Sequence, residues 1–161
     1  MAGPGSDDPR ITYRALKPDN FPFQAVVPAR FSDVDVLHHI NNVAVAGIIA
    51  EGRNAFVSSL FDRERRPNGL RFMVVQSAIS YLDEANYPGS FVIATGVLAT
   101  GTSSVRLAHG FFEGERCTSI SETTLVATHH RRPAPLEPNI RRALDQLSIA
   151  PELFPSQLRG R

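Results

Sequence analysis

Arg30-Phe31-Ser32-Asp33-Val34-Asp35-Val36-Leu37-His38-His39-Ile40-Asn41-Asn42 sets two acids, two imidazoles and two amides directly before an apolar run, Val43 to Ala50. The run carries no charge and reads as a buried segment, so the polar cluster lies where the chain enters the interior. Such side chains are costly to bury without partners, and their concentration at this junction marks a site rather than packing. Three- and four-residue spacing continues from Asn42 to about Phe61 through Val43, Ala46, Ile49, Ala50, Arg53, Phe56, Val57 and Leu60, which predicts one long helix. Its first half is apolar nearly all round, as in a buried helix, and Gly47 would let another backbone approach closely. Asn41 and Asn42 both suit the start of that helix as caps.

Outward from this core the pattern turns to strands. Phe23, Ala25, Val27, Ala29 and Phe31 place apolar residues at alternate positions, predicting a half-buried strand over Phe23 to Phe31, with Pro28 confining it to an edge or a bulge. Beyond the helix, Arg65-Arg66-Pro67-Asn68-Gly69 is a cluster of breakers. Strands then follow at Leu70 to Tyr81, Ser90 to Thr100, Ser104 to Glu113 and Arg116 to Thr128, separated by Tyr87-Pro88-Gly89, Thr100-Gly101-Thr102 and Glu113-Gly114-Glu115. Connections this short imply an antiparallel meander, since parallel pairing needs long crossovers. One antiparallel sheet with one buried helix is an α+β layout. After Pro133, Pro135 and Pro138, the residues Ile140, Ala143, Leu144 and Leu147 share one face of a short amphipathic helix. The organisation expected is a disordered leader over 1–20, one folded domain over 21–132, and a C-terminal extension with a short helix over 133–161.

The chain of 161 residues is long enough to bury a real core, and its formal net charge of +1 gives no general pull toward nucleic acid or an anionic membrane. The lone Cys117 cannot form an intrachain disulfide, which points to a reducing compartment, with the cytoplasm as default. Met1 to Pro9 has neither a basic start nor an apolar core of the signal-peptide kind. No apolar stretch approaches the roughly 18 residues of a membrane span.

The order of strand, Asp-x-Asp turn, His-x-Asn-Asn, long apolar helix and strand meander resembles the hotdog-fold acyl-CoA thioesterases of the 4-hydroxybenzoyl-CoA thioesterase type. The plant acyl-carrier-protein thioesterases share much of the local pattern. The match lies in Ser32-Asp33-Val34-Asp35 with His39-Ile40-Asn41-Asn42, followed by Glu51-Gly52-Arg53 and Phe56. Ser80-Tyr81-Leu82 before Pro88-Gly89-Ser90, and Gly101-Thr102-Ser103-Ser104-Val105, extend it, so that it covers roughly Phe23 to Arg132. The resemblance implies a hotdog fold, an antiparallel sheet wrapped around a central α-helix. It also implies hydrolysis of an acyl thioester to a carboxylate and a free thiol.

That chemistry needs water or a carboxylate to attack the carbonyl carbon, and positive potential where the oxyanion develops. Asp35 lies a few residues before the helix, whose first free N–H groups and positive dipole end supply that potential. By resemblance Asp35, the second acid of the pair, is the nucleophile or general base. The backbone N–H of Asn42 or Val43 then polarises the thioester oxygen. The bland alternative for Asp35 is an Asx-turn or a helix cap. Asp33 reads as structural, paired with Arg30. His39 either orients water or the acyl group, as in the plant enzymes, or is hydrogen-bonded to backbone. Leu37 stands where the plant pattern has a water-holding asparagine, so that triad is not copied. Glu51 is a second candidate acid, because a carboxylate on a largely apolar helix needs a partner or a task. Arg53 is too near in sequence to face it, which leaves a strand or a subunit interface as the structural alternative.

Binding roles fall on Asn41, on the hydroxyl run Thr102-Ser103-Ser104, and on Arg131 and Arg132, with Arg65 and Arg66, as guanidinium partners for coenzyme A phosphates. Phe56, Phe72 and Ile79 either line the acyl pocket or pack the core. His129-His130 lacks a third ligand at metal spacing, and adjacent strand residues point to opposite faces, so no metal is expected, and no cofactor. A single sheet on one helix leaves an edge and an incomplete pocket, which with the resemblance implies a homodimer or homotetramer whose site lies between subunits. The thiol carrier is coenzyme A or an acyl-carrier protein. Two other functions fit the same fold: an acyl-CoA-binding sensor or scaffold without turnover, and a dehydratase or hydratase, a branch that places its Asp and His around an Asn-Pro turn absent here.

Overall fold

The computed structural model describes residues 9–61 and 69–154. In chain order these form α1 (Pro9–Arg14), β1 (Phe23–Pro28), α2 (Asn42–Ser59), β2 (Leu70–Tyr81), β3 (Ser90–Thr100), β4 (Ser104–Glu113), β5 (Arg116–His129), β6 (Arg132–Pro133) and α3 (Pro138–Gln146). The sheet is antiparallel in the order β1-β3-β4-β5-β2, with the two-residue β6 added to β5. It curls around α2, as the resemblance implies.

The sheet has two apolar faces. On the inner one, Phe91, Ile93 and Phe111 pack with Ile48 and Ile49 of α2, and Val97, Leu107 and Leu125 surround Phe56. The close approach expected at Gly47 occurs instead at Gly52. Gly47 has nothing near it, whereas a Cβ on Gly52 would lie 2.4 Å from Ile93 Cβ, so only glycine lets the helix rest on β3 there. On the outer face Ala94, Ala108, Phe112, Cys117 and Ile120 are buried by Tyr13, Leu16, Phe21, Ile149 and Phe154.

That outer face corrects the expectation of a disordered leader. Tyr13 and Leu16 are buried, and residues 12–20 cover a sheet surface that would otherwise face water; residues 1–8 lie outside the described part. Three further differences have local causes. The first strand stops at Pro28 rather than Phe31, because Asp33 Oδ2 accepts the Arg30 N–H at 2.8 Å and pulls Phe31–Asp33 into a 3-10 turn. It does lie at the sheet edge, where a proline costs no ladder bond. The four long strands are not a simple meander. β1 occupies the free edge of β3, with Phe23 opposite Thr95, so β2 crosses to the far edge and pairs with β5, with Tyr81 opposite Ser119. The breaker cluster at residues 65–69 lies outside the described residues except for Gly69, whose φ of 87° uses glycine's freedom at the entry to β2. The C-terminal helix is present, with Ile140 and Leu144 buried, and residues 155–161 lie outside the described part.

Candidate functional site

Residues 34–40 fold back on themselves. Val34 bridges Ile40 antiparallel, the Asp35 N–H donates to the His39 carbonyl at 2.9 Å, and the His38 N–H donates to the Asp35 carbonyl at 3.1 Å. His38 closes the turn at φ 64°, in the left-handed region. Inside this turn Asp35 Oδ1 accepts the Leu37 N–H at 2.8 Å and the His39 N–H at 3.2 Å. The Asx-turn weighed against a catalytic role is therefore real, and it occupies one oxygen of the carboxylate. Among the described residues the other oxygen, Oδ2, meets no donor.

The helix start is built to leave amides open. Asn41 is its N-cap: Oδ1 accepts the Ala44 N–H at 2.8 Å and the Asn41 carbonyl accepts the Val45 N–H at 3.0 Å. Asn41 is itself held by its N–H and Nδ2, which donate to the Asp33 carbonyl at 2.9 and 3.0 Å. Of the four orphan N–H groups at a helix start, those of Asn42 and Val43 keep no acceptor among the described residues. They open with Asp35 onto a shallow hollow of about 590 Å³ lined by Ser32, Asp33, Asn41 and Ala44 as well. A second hollow on the other side of the turn also includes Asp35 and Asn42, with Leu37, His39, Tyr81 and Ser119. The Tyr81 hydroxyl donates to the Asn42 carbonyl at 3.3 Å and ties β2 to the helix start. Val43 lines the first hollow and Leu37 the second, Phe31 and Val36 belong to the same stretch of chain, and all four are largely exposed.

The other expected residues divide. His39 borders the second hollow, but its Nε2 reaches Glu84 Oε2 at 3.1 Å rather than the Asp35 carboxylate. Asp33 does pair with Arg30, and Glu51 pairs with the same arginine from α2. Glu51 is exposed, which corrects the premise that it sits in an apolar environment, and it lies about 13 Å along the helix axis from Asn42. Thr102, Ser103 and Ser104 are at the far end of the sheet. Their carbonyls accept from Leu136 at 2.8 Å, Ala127 at 2.7 Å and Gly101 at 2.8 Å, and Arg141 donates to the Gly101 carbonyl at 2.7 Å, so the run anchors the C-terminal extension. Along β4, Ser104 is about 24 Å from Phe111, which lies opposite Ser119. One chain therefore does not bring these hydroxyls to Asp35.

Arg131 and Arg132 form the turn into β6, with Arg131 at φ 66°, and Arg131 borders an open cleft with Arg71, Met73, Thr128 and His130. Arg65 and Arg66 lie outside the described residues. The rings of His129 and His130 do not diverge as strand alternation implies: His130 has left the strand at φ 49° and its ring stands edge-on to that of His129, with centroids 4.2 Å apart. Among the described residues no group of three or more His, Cys, Asp or Glu is placed to hold a metal, and no helix is long and apolar enough to cross a membrane.

Sequence reading missed the polar row beneath the helix. His109 is fully buried with Nδ1 3.0 Å from Thr95 Oγ1, and burial, aided by the charge of Arg53, pushes the imidazole down to about 3. In the sequence it stands in the middle of a strand that alternation assigns to core, and its only signal was a titratable residue among apolar neighbours. Burial raises the Cys117 thiol to about 12, so it is not a nucleophile.

The family model described as the thioesterase-like superfamily matches residues 29–144. Several solved structures share the fold. A Pseudomonas aeruginosa protein is 20% identical, with a TM-score of 0.74 over 83% of this chain and 96% of the other. A Thermus thermophilus thioesterase solved with coenzyme A and Zn is 24% identical, with a TM-score of 0.70 over 80% and 96%. A second Pseudomonas aeruginosa protein, named as a candidate thioesterase, is 28% identical, with a TM-score of 0.68 over 76% and 98%. No curated protein matches the sequence significantly. With a curled antiparallel sheet around one long helix and a family match that spans the Asp35 turn, the helix and the sheet, the chain has the hotdog fold and belongs to the thioesterase-like superfamily.

Proposed function

We propose that the protein is an acyl-CoA thioesterase in which Asp35 activates water or attacks the carbonyl directly, while the N–H groups of Asn42 and Val43 receive the oxyanion. The observation that carries this reading is the pairing of a half-satisfied carboxylate with two open helix-start amides on one hollow. Oδ1 is fixed by two backbone N–H groups, so Oδ2 is held in place without being consumed. The dipole of α2 adds positive potential at the same point, where negative charge grows as the tetrahedral intermediate forms. On the water route Asp35 takes the water proton, the C–S bond breaks as the intermediate collapses, the thiolate takes that proton, and the acyl group departs as a carboxylate; on direct attack the collapse leaves an Asp35–acyl anhydride, which water then hydrolyses to the carboxylate and free Asp35. His39 supports the turn and, with Glu84, one wall of the hollow. Asn41 acts by positioning the amides.

Coenzyme A as the thiol carrier is supported by the ligand of the Thermus protein and by Arg131 and Arg132, whose guanidinium groups match phosphate; β5 sets them about 33 Å from Ser119 in their own chain, so they serve the site of a second copy. The test is release of free thiol from a panel of short, long and aromatic acyl-CoAs, with Glu51→Gln beside the native chain. Turnover that survives in Glu51→Gln leaves Asp35 as the working acid. Acyl-CoA binding without thiol release on any member of the panel would instead fit a sensor or scaffold.

One chain leaves the site unfinished, and a homodimer completes it. Phe31, Val36, Leu37 and Val43 leave apolar side chains exposed in and around the turn, and β2 is an edge strand with Met73, Val74 and Val75 all exposed. Beyond Arg71 this edge carries neither charge nor proline as far as Tyr81, and such an edge is a template for pairing. In that arrangement the partner's strands supply the wall that Thr102–Ser104 and Glu51 do not supply within their own chain. Val75→Lys, at the irregularity between Val74 and Gln76, is expected to halve the mass seen by sedimentation and to cut turnover with it. A fully active monomeric wild type would remove the dimer from the account.

A further inference from the structure

His109 and Ser121 stand opposite each other on β4 and β5, and Thr95 continues the row on β3. Both are buried, and among the described residues His109 Nε2 and Ser121 Oγ have no hydrogen-bond partner. Native interiors seldom leave two such atoms side by side. The row lies on the inner face, which α2 crosses between Gly52, seated on Ile93, and Phe56, seated among Val97, Leu107 and Leu125. Arg53 is one residue beyond Gly52, about 100° further round the helix. It lines a cleft of about 690 Å³ whose opposite wall is Leu70 to Val74 with Leu125, so it stands on the β5–β2 side of the row. It is half-buried, burial lowers its guanidinium, and among the described residues no carboxylate lines the cleft. Among those residues Arg53 also has neither an ion-pair nor a hydrogen-bond partner.

A desolvated guanidinium without a counter-ion is poised for an anion. The row also lies close to the site, beneath the packing of α2. Ser119 borders the hollow that contains Asp35 and Asn42, and Ser121 is two residues along the same face of β5, about 7 Å away. His109 and Ser121 border neither hollow, so an acyl chain that enters at Asp35 and runs along β5 must part the packing under α2, and there it meets hydroxyl, imidazole and guanidinium rather than continuous hydrocarbon.

We propose that Arg53, backed by His109 and Ser121, seats a carboxylate at the far end of the acyl group, so that the preferred substrates are half-thioesters of dicarboxylic acids. The assignment rests on the thioesterase reading for its substrate but not for its binding site. The carboxylate accepts from Arg53 in the planar fork that suits it, while the Ser121 hydroxyl supplies a further donor. A plain alkyl chain would leave these groups as unpaired as they are now.

The test compares succinyl-, adipoyl- and suberoyl-CoA with butyryl-, hexanoyl- and octanoyl-CoA, and titrates free adipate and suberate against hexanoate and octanoate by calorimetry. For the wild type, kcat/KM is expected to favour at least one carboxyl-ended member over its alkyl counterpart by about tenfold or more. In Arg53→Gln that ratio falls to near one through a higher KM, and Arg53→Lys keeps part of it. The free diacid is expected to bind the wild type and not Arg53→Gln. Equal rates across each wild-type pair, a preference that survives Arg53→Gln, or a change of oligomeric state in Arg53→Gln that accounts for the loss would overturn the proposal. Diacid binding that needs Arg53 in a protein without turnover would keep the seat and refute the thioesterase reading, whereas alkyl-CoA turnover without carboxylate preference would do the reverse.

Discussion

Asp35→Asn is expected to lower thioester turnover about 10²- to 10⁴-fold, the range spanned by loss of a general base, with little change in melting temperature. The two halves of that outcome come from the two oxygens of one side chain. Asparagine keeps a carbonyl oxygen that can accept the Leu37 and His39 N–H groups, as Oδ1 does at 2.8 and 3.2 Å, so the turn at 34–40 is preserved. What it loses is the charge and basicity at the Oδ2 position, the only part of the group open to the hollow. A purely structural Asp35 would show the opposite, with turnover nearly intact because the Asx-turn is intact. Circular dichroism and thermal melting alongside the free-thiol assay separate the two. Activity within about threefold of wild type would end the assignment of Asp35 as the acting acid.

Acid is expected to destabilise the fold well above the pH at which its carboxylates are protonated, and His109 is the reason. Its imidazole is held near 3 in the folded chain against 6.5 when solvated, because the charged form would be fully buried and, further, beside the charge of Arg53. Below pH 6.5 the unfolded chain takes up a proton that the folded chain refuses, so stability is complete above that pH and drains as pH falls toward 3. The slope is about 1.4 kcal/mol per pH unit, and the whole effect is on the order of 5 kcal/mol. Urea unfolding from pH 7.5 to 4 measures it, and His109→Leu is expected to be less stable at neutral pH, with Thr95 left unpaired, yet flatter with pH by one proton. An NMR titration of the His109 ring centred near 6 in the folded protein would contradict the buried neutral form.

The elements governed by local chemistry were readable in the chain. Asn41, the apolar spacing after it and the turn residues around Gly89, Gly101 and Gly114 set the helix and strand limits almost to the residue. Pairing was not readable in the same way. Nothing inside Leu70–Tyr81 distinguishes a neighbour of β3 from a neighbour of β5; that was decided by β1 taking the edge first. The leader was misjudged because its polar composition hides Tyr13 and Leu16, and the value of those residues depends on an outer apolar face that exists only once the sheet has formed. At the site, Asp35 and the helix start are within a few residues of each other, so their meeting could be foreseen. Thr102–Ser104 and Glu51 were nominated by side-chain chemistry and by the resemblance, and within one chain the sheet carries the hydroxyls, and the length of α2 carries Glu51, away from Asp35. His109 and Arg53 were overlooked or set aside because a long-range crossing of helix over sheet is what brings them together.

The displacement of β2 to the far edge also sets an order in time. Its partner β5 is made last among the long strands, and the pair closes a loop that runs from Leu70 opposite His129 to Tyr81 opposite Ser119. The hairpins β3–β4 and β4–β5 close through short turns and can form early, whereas β2 must wait, exposed, until its template is complete. Contacts of this sequence separation slow folding, and the waiting strand carries Met73, Val74 and Val75. The same surface that a second copy would cover in the finished molecule is thus the adhesive one during synthesis, and the interval before β2 docks is when the chain is most exposed to aggregation.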